Sequence, residues 1–113
     1  MNNRRKGSIR EHLAAAYLAE QGLEILEYNY RTARGEIDLV AREGDTLVFV
    51  EVKYRKDSRM GFPQEAVTRS KQQTIRQTAA AYLAERTEGA GYPCRFDVVA
   101  VLGEEITWIR NAF

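Results

Sequence analysis

The chain has 113 residues, of which 44% are hydrophobic and 29% are charged, and its formal net charge is +1. This length suits one compact domain with a real core, and no apolar stretch reaches the roughly 18 residues of a membrane span. The start of the chain is basic but lacks the apolar core of a signal peptide, so we expect a cytoplasmic protein. The single cysteine, Cys94, excludes an intrachain disulfide, and the single histidine, His12, argues against a histidine-based zinc site.

The first predicted elements are a helix and a strand. Ser8-Ile9-Arg10-Glu11 has the pattern of a capping box, which predicts a helix from there to about Gln21, closed by Gly22. The expected inner face of this helix comprises Ile9, Leu13, Ala16, Tyr17 and either Leu18 or Ala19. The first strand is predicted over residues 23 to 31, with Tyr28 and Tyr30 on one face.

The next two strands, within residues 35–55, carry charged residues in an otherwise hydrophobic pattern. Gly44-Asp45 suits a two-residue hairpin turn with positive φ at the glycine. If Glu43 pairs with Thr46, then Asp38 faces Glu51 and Glu36 faces Lys53 across the hairpin, so Glu36 is expected to pair with Lys53 or a nearby arginine. Cross-strand partners have Cβ atoms roughly 4.5 to 5.5 Å apart, and like charges in that position destabilise a sheet. Two carboxylates are therefore expected to meet, with Lys53 on the same side of its strand as Glu51.

A divalent cation would convert this repulsion into chelation. Mg²⁺ or Mn²⁺ is the natural candidate because hard cations prefer carboxylate and carbonyl oxygens. The expected ligands are Asp38, Glu51 and the backbone carbonyl of Val52, while Lys53 would hold the nucleophile or neutralise developing charge. This set fits phosphodiester hydrolysis. The alternative is a structural ion pair at the end of a strand.

The remaining elements complete the order αβββαββ. A loop over residues 57–63 precedes a short helical start at Pro63, and a second helix is predicted from Arg69 to about Arg86. Its core-facing stripe comprises Ile75, Ala79, Tyr82 and Leu83. Strands follow over residues 96–102 and 106–109, with Arg95 and Asp97 expected to pair structurally. We therefore predict an α/β fold with a central mixed sheet flanked by helices.

Basic residues are concentrated near the expected site. Residues 1–10 contain four basic residues and no acid, and residues 53–76 contain seven basic and two acidic residues. Such surfaces bind phosphates largely through counterion release, although charged helix faces are also common without this role. The candidate nucleic-acid-binding residues are Arg34, Arg55, Lys56, Arg59, Arg69, Lys71 and Arg76.

Four segments together carry a resemblance that covers nearly the whole chain. They are Gly35-Glu36-Ile37-Asp38-Leu39-Val40, Phe49-Val50-Glu51-Val52-Lys53-Tyr54-Arg55, the helix around Glu11 with Ala14, Tyr17 and Leu18, and Arg95-Phe96-Asp97-Val98-Val99. In these the chain resembles the YraN-like family of small uncharacterised bacterial proteins, within the restriction-endonuclease-like, or PD-(D/E)XK, superfamily. Two departures are Ile37 in place of a proline before Asp38, and a second helix without a Gln-x-x-x-Tyr arrangement.

The resemblance implies a restriction-endonuclease-like fold and a set of roles. Asp38 and Glu51 match the superfamily's metal ligands and Lys53 its catalytic lysine. Glu11 matches a glutamate on the first helix that approaches the metal through water, yet capping the helix explains the same residue equally well. Both roles can hold together.

Two main hypotheses of function follow. The first is a Mg²⁺- or Mn²⁺-dependent nuclease acting on branched or structured DNA, a substrate class that comes only from the resemblance to Holliday-junction resolvases. The second is a non-catalytic nucleic-acid-binding or assembly module on the same fold, and a purely structural role in protein interactions ranks third. Resolvase-like action on a symmetric junction would need two sites, which suggests a homodimer.

Overall fold

A computed structural model describes residues 8–113. The basic residues at positions 4–6, which the sequence analysis counted near the expected site, lie outside the described part of the chain. The helices and strands are α1 (Ile9–Glu20), β1 (Glu24–Arg31), β2 (Glu36–Glu43), β3 (Thr46–Arg55), α2 (Arg69–Arg86), β4 (Cys94–Leu102) and β5 (Glu105–Ile109), with a 3₁₀ turn at Pro63–Ala66. The predicted order αβββαββ is confirmed.

The five strands form one mixed sheet in the order β1-β2-β3-β4-β5. Strands β3 and β4 run parallel, and the other neighbouring pairs are antiparallel. The parallel pair needs a crossover connection, which α2 provides, whereas tight turns suffice for the hairpins. At the β2–β3 turn Gly44 has φ +60° and Glu43 pairs with Thr46, as the sequence predicted. The arrangement is consistent with a restriction-endonuclease-like fold.

The two helices lie against different hydrophobic clusters of the sheet. Residues of α1, including Leu18, pack in one cluster with Val48, Val50 and Val99, while Ile75 and Tyr82 of α2 pack in the other with Phe49. Strand β3 contributes to both clusters because successive side chains point to opposite faces of a strand. This confirms β3 as a central strand buried on both sides. Within residues 8–113 no helix is both long enough and apolar enough to cross a membrane.

The predicted inner face of α1 is wrong in part. Ile9 is 85% exposed and Leu13 46% exposed, and Ala16 is also exposed, whereas the buried residues are Ala14, Ala15 and Leu18. Alanine fits either face of a helix, so the larger Ile9 and Leu13 dominated the pattern in an alanine-rich segment. The buried face continues one turn back to Glu11, at the i, i+3, i+4, i+7 spacing of a single helix face. The true orientation therefore turns Glu11 towards the sheet.

The expectation that Tyr28 and Tyr30 share one face is also wrong. Tyr28 packs against the cluster that contains α1, whereas Tyr30 is buried in the cluster that contains α2. Asn29, between them, has a left-handed backbone with φ +52°. This conformation interrupts the regular alternation of β1 and places the two neighbouring tyrosines on opposite sides of the sheet.

Candidate functional site

The candidate site lies where the paired part of β2 and β3 ends. The observed register runs from Glu43–Thr46 to Leu39–Val50, as predicted, so Asp38 and Glu51 lie just beyond the last pair. Instead of a backbone pair, Oδ2 of Asp38 accepts a hydrogen bond from the backbone N–H of Val52 at 2.8 Å. The side chain of Asp38 thus takes the place of a carbonyl in the sheet.

Asp38 has a strongly perturbed acidity. Its pKa is raised from 3.8 to about 8, chiefly by burial and then by the negative charge of Glu51, with smaller contributions from Glu11 and Glu36; the hydrogen bond from Val52 acts in the opposite direction. Removing water from a carboxylate and placing like charges nearby both favour the protonated form. The charged form of Asp38 therefore needs a compensating positive charge.

Glu51 is almost fully buried and lies between two lysines. It is 3% exposed, and its Oε2 lies 3.4 Å from Nζ of Lys53 and 3.5 Å from Nζ of Lys71. Lys71 is in the first turn of α2, so the crossover helix brings a second ammonium group to Glu51 in the second half of β3. Because both ion pairs use Oε2, Oε1 of Glu51 is the oxygen left to a ligand.

Glu11, Glu36 and Asp38 form an acidic cluster. One carboxylate oxygen from each lies within 4.8 Å of the others. Glu11 also closes the predicted capping box, because its Oε1 accepts from the backbone N–H of Ser8 at 2.8 Å and its own N–H donates to Oγ of Ser8 at 3.2 Å. The capping role is confirmed, and it leaves Oε2 of Glu11 as the second oxygen.

Glu36 belongs to the acidic cluster, although the sequence interpretation did not include it among the expected metal ligands. Its expected partner was Lys53 or a nearby arginine, and the structure shows the arginine: Nη2 of Arg31 lies 3.1 Å from Oε1 of Glu36. The available signal was spacing, because Glu36 and Asp38 are two residues apart on a strand and such residues normally project from the same side.

Asn29 was not identified from the sequence as a residue of the candidate site. Its Nδ2 donates to Oε1 of Glu11 at 3.2 Å and to Oε2 of Glu36 at 2.6 Å, so that one side-chain amide bridges two carboxylates of the acidic cluster. The sequence offered only a weak signal, an asparagine within a strand, where this residue type is depleted.

These donors suit a hard divalent cation. The oxygens available are carboxylates, which Mg²⁺ and Mn²⁺ prefer, and Oδ1 of Asp38 remains beside the oxygen that binds Val52. The crowding that raises the pKa of Asp38 is the situation that a bound cation relieves. Of Val52 the structure assigns the N–H to Asp38, and ligation through its carbonyl stays a prediction.

The predicted nucleic-acid-binding residues lie in different surroundings. Lys71 contacts Glu51, as described. Nη2 of Arg59 lies 3.2 Å from Oδ2 of Asp57, and the guanidinium of Arg76 stacks over Phe96, 4.9 Å from the ring centroid. Of the rest, Arg55 is partly buried and the exposed residues are Arg34, Lys56 and Arg69.

Asp97 belongs to a separate network, although it lies on β4 opposite Val50, one position from the level of Glu51. It is fully buried, and it accepts from Nε of Arg95 at 3.0 and 3.2 Å, from Nε1 of Trp108 at 2.9 Å and from the N–H of Asn111 at 2.9 Å. The predicted pairing of Arg95 with Asp97 is confirmed. Since its oxygens are occupied by these donors, Asp97 has a structural role that ties β4 to β5 and the C-terminal residues.

Comparison with known proteins identifies close relatives. A UPF0102 protein of Lachnoclostridium phytofermentans is 54% identical over 113 residues, covering 100% of this chain and 96% of the relative. A second, from Nitrosomonas europaea, is 51% identical over 111 residues, covering 96% of this chain and 92% of the relative. A model of the uncharacterised protein family UPF0102 matches residues 10–101. The chain therefore belongs to the uncharacterised protein family UPF0102.

Proposed function

We propose that this protein is a Mg²⁺- or Mn²⁺-dependent nuclease that hydrolyses phosphodiester bonds in nucleic acid. The observation that carries the proposal is the crowding of carboxylates around the partly buried Asp38, with Lys53 beside Glu51. Carboxylates that repel one another next to a lysine form the donor set expected of a metal-assisted hydrolase.

Each residue has a role in this proposal. Asp38 and Glu51 would hold the cation, with the carbonyl of Val52 as a further ligand and Glu11 acting through water. When bound, the cation would polarise the phosphate and lower the pKa of a water molecule. Lys53 would orient the attacking water or neutralise charge that develops on the phosphate. Its ammonium group, already 3.4 Å from Glu51, is held for this purpose by the ion pair.

The proposed substrate is DNA, in branched or structured form. This choice is supported by the resemblance to the restriction-endonuclease-like superfamily and its Holliday-junction resolvases. Exposed basic residues such as Arg34, Lys56 and Arg69 would contact phosphates along the strand. Cleavage of a symmetric junction needs two sites, so we propose a homodimer as the active form, acting in the cytoplasm.

The decisive experiment is a cleavage assay on junction, flap, single-stranded and duplex DNA with Mg²⁺, Mn²⁺ or EDTA. Asp38→Asn and Lys53→Ala should each reduce the rate at least about 100-fold, since the first removes a charged ligand of the cation and the second removes the ammonium group that acts at the reacting phosphate. Asp45→Asn, at an exposed position of the β2–β3 turn, is the matched control and should cleave like the wild type. Equal rates in the wild type and both site variants would refute the proposal, as would no cleavage of any substrate.

One observation favours a second candidate, a nucleic-acid-binding or assembly module that does not cleave. Lys53 and Lys71 already neutralise Glu51, an arrangement that is electrostatically satisfied without a metal. Such a module would bind DNA with a strong dependence on salt, would retain binding in Glu51→Ala and would show no metal-dependent turnover. Calorimetric titration with Mg²⁺ separates the candidates, because the nuclease should bind the cation and Asp38→Ala should not.

A further inference from the structure

We infer that Asn29 is the positioning residue of the proposed metal site, and that its side-chain amide holds Glu11 and Glu36 in place around Asp38. The inference rests on the proposed function, since it concerns how the chain prepares that site for a cation. Three observations carry it: the backbone of Asn29, its place in the sheet and its two hydrogen bonds.

The backbone of Asn29 is unusual for a strand. Its φ of +52° lies in the left-handed region, which residues with a side chain rarely adopt and which asparagine tolerates better than most. Such conformations cost on the order of 1 to 3 kcal/mol and persist where the surroundings compensate. Here the compensation is visible in the two hydrogen bonds that the side chain makes.

The register places Asn29 level with Asp38. In the β1–β2 pairing Tyr28 lies opposite Leu39 and Tyr30 opposite Ile37, so Asn29 falls across from Asp38. The first of these pairs packs on the side of the sheet that contacts α1, and the second packs on the side that contacts α2. Both strands therefore change face at the level of Asn29 and Asp38.

This change of face has a consequence for the site. In a regular strand the two neighbours of a residue share one face and the residue itself projects from the other. Here the two neighbours of Asn29, and the two neighbours of Asp38, lie on different faces. Because the alternation is interrupted at this level, the side chains of Asn29 and Asp38 lie where the two faces meet, and both reach the carboxylate of Glu11 on α1. Asp38 in turn reaches the backbone of Val52 on β3. The left-handed Asn29 is thus part of the backbone geometry that assembles groups from α1, β1, β2 and β3.

The amide uses both of its donor hydrogens on carboxylates. Glu36 receives Asn29 on Oε2 and Arg31 on Oε1, so both of its oxygens have donors and it acts as a support. Glu11 receives Asn29 and the N–H of Ser8 on the same oxygen, Oε1, which leaves Oε2 free to act towards a cation. A lysine in this position would neutralise the charge that attracts a metal, whereas an amide fixes the carboxylates without adding charge.

Loss of the amide should therefore weaken metal binding more than it weakens the fold. Groups that orient metal-binding carboxylates typically contribute about 10- to 100-fold in affinity. In Asn29→Gly the glycine adopts the left-handed backbone without strain, so the substitution removes the amide and keeps the chain path. We expect a 10- to 100-fold weaker Kd for Mn²⁺, with a melting temperature close to that of the wild type.

The matched control is Asn111→Gly. Asn111 is also an asparagine with φ +52°, but its backbone N–H binds Asp97 in the other network. The control should leave the Kd for Mn²⁺ unchanged. In the cleavage assay Asn29→Gly should lose kcat at low Mn²⁺, recover it at saturating Mn²⁺, and keep the KM for DNA, because Asn29 touches carboxylates and not substrate.

Calorimetric titration of Mn²⁺ into the wild type, Asn29→Gly and Asn111→Gly separates the outcomes. Binding to the wild type that Asn29→Gly weakens by less than twofold would refute the role of Asn29 alone. Failure of the wild type to bind Mn²⁺ would refute the proposed function and this inference with it. Asn29→Ala is a second variant that removes the same amide: its Cβ strains the left-handed backbone and should lower the melting temperature, but its Kd for Mn²⁺ should weaken by the same 10- to 100-fold, and an unchanged Kd would also refute the role of Asn29.

Discussion

The substitution Asp38→Asn should change how the free energy of unfolding depends on pH. In the folded protein the pKa of Asp38 is about 8, against an ordinary value of 3.8. Below pH 3.8 both the folded and unfolded states carry the proton, and between these values only the folded state keeps it. The folded state therefore binds more protons in this window, so its stability falls as pH rises, until the slope ends above about pH 8.

The size of the effect follows from the same values. Each pH unit inside the window is worth about 1.36 kcal/mol for one group that is protonated in the folded state only. From pH 5 to pH 7 the wild type should thus lose on the order of 2 to 3 kcal/mol of unfolding free energy through Asp38. Asp38→Asn keeps an oxygen for the N–H of Val52 and removes the charge, so this contribution to the slope should vanish.

Urea denaturation followed by circular dichroism, in EDTA at pH 5, 6, 7 and 8, measures this difference. The comparison is between the wild type, Asp38→Asn and the control Asp45→Asn, which should retain the wild-type slope. The difference between wild type and Asp38→Asn cancels the contributions of titrating groups that behave alike in both proteins. Parallel curves for these two proteins would show that Asp38 titrates normally and would remove the electrostatic basis of the proposed metal site.

Further predictions concern metal binding, packing and the two networks. Affinity for Mn²⁺ should rise by up to about tenfold per pH unit towards pH 8, because the cation displaces the proton of Asp38; calorimetry at several pH values checks this. Gly35→Ala should destabilise the fold by about 1 to 3 kcal/mol, since its Cβ would lie 2.4 Å from Cγ2 of Thr74, and Thr74→Ser should restore part of the loss in denaturant titrations. Asp97→Ala should lower the free energy of unfolding by about 3 to 5 kcal/mol in the same titrations, because it removes the carboxylate that accepts hydrogen bonds from Arg95, Trp108 and Asn111. If Asp97→Ala folds, it should bind Mn²⁺ like the wild type. Ser8→Ala should cost about 1 kcal/mol by removing the N-cap of α1, as thermal unfolding would show.

The sequence determined those features that depend on neighbours along the chain. The Gly44-Asp45 turn set the register of β2 and β3, which brings Asp38 and Glu51 to the end of the same hairpin. The capping box set the start of α1, and the stripe that includes Ile75 and Tyr82 correctly gave the buried face of α2. These features could be predicted because a turn, a cap and a period involve only a few consecutive residues.

Tertiary structure decided the features that join distant segments. The arrival of Lys71 at Glu51 depends on how α2 crosses between β3 and β4, and the bridging of Glu11 and Glu36 by Asn29 depends on a left-handed residue inside a strand. The alanine-rich α1 carried too weak a pattern to reveal that its inner face includes Glu11. The periodicity of hydrophobic residues reflects only which side of a segment is buried. The contacts of Lys71 and Asn29 depend instead on how closely separate elements pack and on the φ angle of one residue. The sequence by itself could therefore place the carboxylates of the hairpin, and only the packed structure could show what surrounds them.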